Sequence, residues 1–286
     1  MIALLLGLLA AFCWSAHDLL ARALSPAIRP FRLGLWIMLI GAAVLVPPVL
    51  WRGQIWQADQ ASVLLALAMG VVYAGAAAGL LTAYANAPVS IVGPFTAGYP
   101  ALAVLWGIVN GLVPTWLQLL AMTAILSGAI IVGRNSADDG GMAKVQAGKL
   151  PLVLASSLIA ALCYAAAIIL GQTATEILGE YETSLLSRLP AAAILAVLAR
   201  WEPPAEVALT RLSRSAILLM AVTDVIAVTA INAATFFPGK ELGAMAISCF
   251  GAITVLLAMV FLKEKVTALQ WLGIVMITAG VAGLAI

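Results

Sequence analysis

Long apolar segments separated by short polar ones run through the whole of this chain of 286 residues. A helix needs about 20 mostly apolar residues to cross a bilayer. We predict ten membrane-spanning helices at residues 2–22, 32–51, 61–85, 88–110, 114–133, 150–171, 183–200, 214–235, 241–262 and 266–286. The hydrophobic pattern therefore predicts an all-α polytopic membrane protein.

A polar, glycine-rich segment at 134–149 divides the ten predicted spans into two groups of five. We predict a first five-helix repeat at 1–133, a linker at 134–149 and a second repeat at 150–286. The two repeats share residues at offsets of 150 to 152: AFCWSAH resembles ALCYAAA, and PTWLQLLAMTAILSGAIIVG resembles VTALQWLGIVMITAGVAGLA. With an odd number of helices per repeat, the second copy enters the membrane from the opposite side. We therefore predict inverted repeats.

The basic residues of the predicted loops support this inversion. Three arginines follow the first predicted span, whereas three glutamates occupy the corresponding loop of the second repeat. One side of the membrane collects eleven Lys and Arg residues: Arg22, Arg29, Arg32, Arg134, Lys144, Lys149, Arg200, Arg211, Arg214, Lys263 and Lys265. The other side collects Arg52 and Lys240. The positive-inside rule makes the first side cytoplasmic, so we predict an inner (plasma) membrane protein with both termini outside.

Composition excludes several classes of protein. Hydrophobic residues make up 64% of the chain and charged residues 9%, against roughly 25% charged in a soluble domain, and the mean hydropathy is +1.14. With one histidine, no phosphate-binding loop and three cysteines in apolar segments, we expect neither an enzyme nor a cofactor or metal site. The expected partners are a small-molecule substrate and the lipid bilayer, with no nucleic acid, and we expect a monomer.

Several features together resemble a known family. Trp14 lies early in the first span, Arg32 and Arg188 open the second helix of each half, and FLKEKVTALQWLGIVMITAGVAG ends the chain with Glu264, Gln270 and Gly273. This pattern resembles the drug/metabolite transporter superfamily, EamA-type. The resemblance implies secondary transport through a central cavity built by helices 1, 3, 4, 6, 8 and 9. It also implies cytoplasmic termini, opposite to the orientation that the loop charges predict.

Since the resemblance implies a cavity lined by those helices, we take candidate substrate-binding residues from them. These candidates are Trp14, His17, Tyr73, Phe95, Tyr99, Tyr164, Asp224 and Ser248. Phe95, Tyr99 and Trp106 form an aromatic stripe on the fourth span, which Pro94, Gly98 and Pro100 interrupt. Broken helices near the midplane are typical of transporter sites.

Three ionisable residues are candidates for a proton or charge site: Asp224, His17 and Asp18. Asp224 lies near the middle of the eighth span, too deep for its side chain to reach water outside the bilayer. It either titrates or binds a cationic substrate group, or it ties helices together through His17 or Arg188. His17 and Asp18 share a helix face with Trp14; they line a cavity, or they lie at the interface with Asp18 paired to Arg22. Arg188 either extends to the interface or forms a buried salt bridge.

We therefore predict a secondary active transporter, an exporter of a small amphipathic metabolite such as an amino acid, that works by alternating access. Its energy would come from the substrate's own gradient or from protons. Two alternatives remain open. One is a lipid-carrier or lipid-headgroup flippase, which needs a lateral opening and a basic patch at one rim. The other is a non-transporting membrane subunit, which predicts packed polar pairs without a water-filled cavity.

Overall fold

The structure is a computed structural model that describes most of the chain. The described residues are 1–87, 92, 96, 99, 106, 108–109, 111, 113–138, 148–203, 209–240, 243, 246–247, 249–261, 263 and 266–284. They contain nine α-helices, which we number in chain order. Their bounds are α1 Ile2–Leu24, α2 Pro30–Arg52, α3 Gln60–Asn86, α4 Trp116–Asp138, α5 Leu150–Leu178, α6 Glu180–Ala199, α7 Arg211–Ala233, α8 Cys249–Phe261 and α9 Ala268–Leu284.

Nine of the ten predicted spans correspond to these helices. The fourth, predicted at 88–110, falls largely outside the described residues, although Val92, Thr96 and Tyr99 are helical. Phe95 and Ser248 also lie outside them, as do Pro94, Gly98, Pro100 and Glu264.

Two helices extend beyond their predicted ends. α5 runs to Leu178 instead of ending near 171, and Gly179 alone joins it to α6. Gly179 has φ 91°, a left-handed conformation that glycine adopts without strain and that commonly ends helices. The loop predicted at 172–182 is therefore helical on both sides of one glycine. Similarly, α4 continues to Asp138, into the segment predicted as a linker.

The helices have the lengths and surfaces expected of a polytopic membrane protein. In the described part of the chain, six helices are long and apolar enough to cross a bilayer, and three shorter apolar segments accompany them. Large apolar side chains such as Leu5, Phe12 and Leu158 are exposed, while Asp18, Arg188 and Asp224 are buried. Burying charged groups inside while exposing apolar ones is favourable where the surrounding solvent is lipid.

The packing of the helices is the same when the two repeats are exchanged. α3 packs on α5 as α1 packs on α7, and α3 packs on α6 as α2 packs on α7. Exchanging α1 with α5, α2 with α6 and α3 with α7 converts the first pairing of each comparison into the second. The pairs α2 with α6 and α4 with α9 each map onto themselves. The chain is therefore an all-α membrane protein of two inverted five-helix repeats related by a pseudo-twofold axis.

The pair α4 and α9 shows this symmetry at single residues. A Cβ at Gly128 would lie 2.6 Å from the Gly273 carbonyl oxygen, and one at Gly280 would lie 2.7 Å from the Ala121 oxygen. Both contacts need glycine, because a side-chain carbon would collide with backbone. Small residues allow such close crossings in membranes.

Both helices also begin with the same capping box, in which a threonine and a glutamine three residues later exchange hydrogen bonds with each other's backbone. Thr115 N donates to Gln118 Oε1 at 2.9 Å, and Thr267 N donates to Gln270 Oε1 at 2.7 Å. The sequence matches at these positions thus reflect a shared helix start.

α3 begins with a different cap. The Asp59 carboxylate accepts hydrogen bonds from the backbone N–H groups of Ala61 and Ser62 at 3.1 and 3.3 Å. The Ser62 hydroxyl also donates to it. These bonds, with that from the Ser62 side chain the largest cause, hold the pKa of Asp59 below its usual value. The cap fixes the start of the longest helix of the first repeat.

Candidate functional site

A buried ion pair joins the middle of α6 to the middle of α7. Arg188 Nη2 lies 2.7 Å from Asp224 Oδ2, and both side chains are almost wholly inaccessible. Arg188 Nη1 also donates to the Ser184 carbonyl at 3.1 Å. The guanidinium packs so closely on Gly41 of α2 that a Cβ there would lie 2.5 Å from Arg188 Nε. Of the two interpretations of Arg188 from sequence, the structure shows the buried salt bridge.

Asp224 accepts two further hydrogen bonds from the first repeat. Trp14 Nε1 of α1 donates to Asp224 Oδ1 at 3.4 Å, and the Tyr73 hydroxyl of α3 donates to the same oxygen. The carboxylate therefore has donors from three helices. Hydrogen bonds and an ion pair to a guanidinium compensate for the burial of such a polar group in an apolar interior.

Aromatic side chains surround this ion pair. Tyr164 of α5 lies at their centre, with ring centroids 6.2 Å from Trp14, 5.8 Å from Tyr73 and 5.5 Å from Tyr99. Tyr99 extends the group to Phe250 of α8 at 6.0 Å. We call Trp14, Tyr73, Tyr99, Tyr164 and Phe250 the aromatic cluster.

The aromatic cluster lies on the pseudo-twofold axis. Trp14 contacts Tyr164 and Tyr99 contacts Phe250, while Tyr73 bonds to Asp224. Members of each pair are 150 or 151 residues apart, the offset that relates the two repeats. Equivalent positions of two symmetric halves meet only near their axis, so this site belongs to both repeats equally. The charged groups break the symmetry, since Ala167 stands at the position equivalent to His17.

A second polar cluster lies one turn further along α1. His17 Nδ1 is 3.2 Å from Asp18 Oδ1, and the Tyr84 hydroxyl of α3 donates to Asp18 Oδ2. Both His17 and Asp18 are buried. Arg22 Nη1 donates to the Tyr84 carbonyl at 2.8 Å instead of pairing with Asp18. The interfacial ion pair considered as an alternative is therefore not the observed arrangement.

A small cavity separates the two polar clusters. His17, Tyr73, Tyr164 and Asp224 line it together with apolar residues of α2 and α3. Its volume available to the centre of a water molecule is about 10 Å³, which is roughly the room that one water molecule needs. The part of this cavity that the described residues line therefore has room for about one water molecule.

Larger cavities lie at the two opposite ends of the bundle. One, the basic vestibule, has a volume of about 520 Å³ and is lined by residues that include Arg22, Arg29, Asn86 and Lys149. The other, the acidic vestibule, also has about 520 Å³ and is lined by residues that include Arg52, Gln54, Thr175, Glu176, Gly179 and Glu180. Because α2 contributes its first residue to one vestibule and its last to the other, the site lies between them.

The structure brings most of the sequence-predicted site residues together. Trp14, Tyr73, Tyr99, Tyr164 and Asp224 form one cluster, and His17 lines the cavity beside it. Asp18 lies in the second polar cluster. Trp106, part of the predicted stripe, is 54% exposed.

Two contributors were missed from the sequence. Phe250 could have been found from its offset of 151 residues from Tyr99. Tyr84 could have been found from helical periodicity, because it lies eleven residues after Tyr73 and so on the same face of α3.

Comparison with known proteins agrees with this architecture. No curated protein matches the chain. A solved structure described as "Crystal structure of protein" is similar over 98% of this chain and 95% of its own, with a TM-score of 0.77 and 19% sequence identity. At that identity the similarity shows the fold alone.

The model of the EamA-like transporter family matches residues 1–134 and 151–286, which is nearly the whole chain. Inverted repeats that meet at a site near the middle of the membrane are a common architecture of secondary transporters. This multi-pass membrane protein therefore belongs to the EamA-like transporter family.

Proposed function

We propose that this protein is a secondary transporter that exports a small zwitterionic, amphipathic molecule such as an amino acid across the inner (plasma) membrane. The observation that carries the proposal is the Arg188–Asp224 ion pair, buried beside aromatic rings on the pseudo-twofold axis. An ion pair at this place offers one group of each sign to a bound molecule.

A zwitterion could replace the internal ion pair without leaving a charge unpaired. Its carboxylate would bind the Arg188 guanidinium, whose planar geometry suits carboxylates. Its ammonium group would bind Asp224 and lie near the faces of Trp14 and Tyr164, where a cation gains about 0.5–2 kcal/mol. The remainder of the aromatic cluster offers an apolar surface. A molecule with one charge would leave the opposite protein charge buried and unpaired, which is costly.

The symmetry of the site supports alternating access as the mechanism. The described residues line a small cavity at the ion pair and a vestibule toward each side of the membrane. Rocking of the two repeats about their axis would open one vestibule to the site while closing the other. If the basic vestibule is cytoplasmic, as the loop charges favour, export proceeds from the basic to the acidic vestibule.

Transport into proteoliposomes tests this function. The purified protein would be assayed with L-leucine, L-phenylalanine, L-aspartate and a monovalent organic cation, with and without an imposed pH gradient. We expect uptake of neutral amino acids, and its loss in Asp224→Asn and Arg188→Gln. The matched control is Lys240→Gln, which breaks an exposed ion pair of the same 2.7 Å length. Equal transport by all three variants would refute the assigned site.

A lipid-headgroup flippase is a second candidate, and the basic vestibule favours it. Arg22, Arg29 and Lys149 line that vestibule at the membrane surface, where they could attract an anionic headgroup. Vesicles of phosphatidylcholine containing fluorescent phosphatidylglycerol distinguish the two functions. Movement of the labelled lipid between leaflets, without amino-acid uptake, would favour the flippase.

A further inference from the structure

Glu182 is a buried carboxylate in the first turn of α6 and is wholly inaccessible. No other described residue donates a hydrogen bond to either of its carboxylate oxygens. A Cβ placed on Gly179 would lie 2.8 Å from both Glu182 Oε2 and Gln54 Oε1. Because Gly179 and Gln54 line the acidic vestibule, Glu182 is directly behind its wall.

The charged groups around Glu182 form ion pairs with residues other than Glu182. Arg52 from α2 and Glu180 from α6 are the charges whose influence reaches Glu182. They pair with each other at 2.7 Å. Glu176 from α5, on the far side of Gly179, is paired with Lys240 at 2.7 Å. Among the residues that the structure describes, no cation therefore bonds directly to the Glu182 carboxylate.

Glu182 and Asp224 have opposite environments. Asp224 accepts bonds from a guanidinium, an indole and a phenol, which suit an ionised carboxylate. An ionised Glu182 would be buried without any comparable partner, and such groups become neutral by binding a proton. We propose that Glu182 is the proton-binding site of this transporter, protonated when the acidic vestibule is closed around it and deprotonated when that vestibule opens to water.

The position of Glu182 on α6 connects it to the substrate site. Ser184 Oγ donates to the Glu180 carbonyl at 2.6 Å, and the Ser184 carbonyl accepts from Arg188 at 3.1 Å. Glu182 and Arg188 thus lie six residues apart on the same helix, less than two turns, with Ser184 between them. Since an ionised Glu182 needs water, deprotonation favours opening of the vestibule and displacement of this part of the helix. The coupling rests on the proposed transport function, whereas proton binding itself does not.

Infrared spectroscopy of the full chain in lipid tests proton binding directly. A protonated carboxylic acid has a carbonyl stretch that a carboxylate lacks. We expect such a band at neutral pH, decreasing as the pH is raised. Glu182→Gln should lose the titrating band completely, because glutamine keeps the size of the side chain and cannot titrate. Glu176→Gln, the matched control on the other side of Gly179, whose partner is Lys240, and Asp224→Asn should retain it.

The opposite pattern overturns the proposal. A band that persists at full amplitude in Glu182→Gln, or one lost in Asp224→Asn instead, would place the proton elsewhere. A wild-type spectrum without a titrating carboxylic-acid band would do the same. Native far-UV circular dichroism and a single monodisperse peak establish that each variant is folded. If Glu182→Gln fails to fold, Glu182→Asp keeps a carboxyl group at this position and should shift the titrating band, whereas an unshifted band would place the proton elsewhere.

Opening of the vestibule gives a second measurement. Thr175 lines the acidic vestibule and is buried, so maleimide should label Thr175→Cys only when the vestibule opens. The assay uses a background with the three native cysteines replaced by alanine. Labelling of Thr175→Cys should accelerate as the pH rises. It should accelerate more steeply than labelling of the same cysteine in a protein that also carries Glu182→Gln. An identical pH dependence in both backgrounds would remove the role in opening.

The outcomes separate this proposal from the proposed function. A titrating band from Glu182 together with no transport of any tested amino acid would remove the proposed function and leave the proton site. Transport of amino acids without a Glu182 band would remove the proton site and leave the function.

Discussion

Breaking the Arg188–Asp224 ion pair should destabilise the protein strongly, and removing both partners should restore much of the loss. Asp224→Asn leaves the Arg188 guanidinium, which is wholly buried, with the Ser184 carbonyl as its main acceptor. Arg188→Met leaves the Asp224 carboxylate with only the Tyr73 and Trp14 donors. Removing one partner of a buried ion pair typically costs about 3–5 kcal/mol, because an unpaired charge remains.

The double variant removes both charges together. Asparagine keeps an oxygen that can accept from Tyr73 and Trp14, so the remaining cost is that of hydrogen bonds left unmade, about 1–3 kcal/mol. The double-mutant cycle should therefore give a coupling free energy of about 3 kcal/mol or more between the two positions. The exposed pair Arg52–Glu180, whose side chains are 40% and 13% accessible, provides the control. Its cycle should give about 1 kcal/mol or less.

The assay is reversible unfolding in mixed micelles with increasing dodecyl sulfate, followed by tryptophan fluorescence and checked by circular dichroism. The order of the free energies of unfolding should be wild type, double variant, then the two single variants. Additive single effects at Arg188 and Asp224, or equal coupling energies in the buried and exposed cycles, would refute the assignment of an energetically coupled buried pair.

Three further predictions concern packing, the site and orientation. Gly128→Ala should lower the free energy of unfolding by about 1–3 kcal/mol through overpacking and so lower the Tm. Gly283→Ala, whose Cβ would meet only a side-chain carbon at 3.4 Å, should change the Tm little. Equal shifts in Tm would contradict the close contact at Gly128. Tyr73→Phe removes one donor to Asp224 and should weaken amino-acid binding about tenfold, equivalent to about 1.4 kcal/mol, as measured by calorimetry; unchanged affinity would exclude this hydroxyl from the site. In cysteine-free protein, Ser25→Cys should react with an impermeant maleimide from the cytoplasmic side and Gln57→Cys from outside, and the reverse pattern would invert the topology.

The sequence could predict the spans because their physics is local. Each membrane helix satisfies its own backbone hydrogen bonds and needs a fixed apolar length, so composition over about 20 residues determines where a span lies. Errors arose at helix ends such as Leu178, where a single glycine decides between a loop and a continued helix. The offset of 150 to 152 residues also lay in the sequence. Together with the loop charges, it predicted the inverted repeats.

The sequence could predict only part of the candidate site. The burial of Asp224 followed from its depth in the span, whatever its neighbours. The identity of its hydrogen-bond donors did not follow from the sequence, since Trp14 is 210 residues away along the chain and Tyr73 is 151 residues away. Trp14 and Asp18 were correctly placed on one helix face, yet they bond to different clusters because a full turn of α1 separates them. Periodicity determines the direction of a side chain, and packing against other helices determines what it meets.

By itself, then, the sequence determined a membrane protein of two inverted repeats, because hydrophobic length and loop charge act residue by residue against a uniform solvent. Only the tertiary structure decided the state of the charged side chains. Arg188 could extend to the interface or bind a buried acid, and the choice depended on whether α7 brought a carboxylate within 2.7 Å. Glu182 belonged to a predicted loop, and only the packing of α5, α6 and the end of α2 made it a buried acid without a partner. The free energy of a charge in lipid depends on its partners and its access to water, and both are properties of the assembled helices.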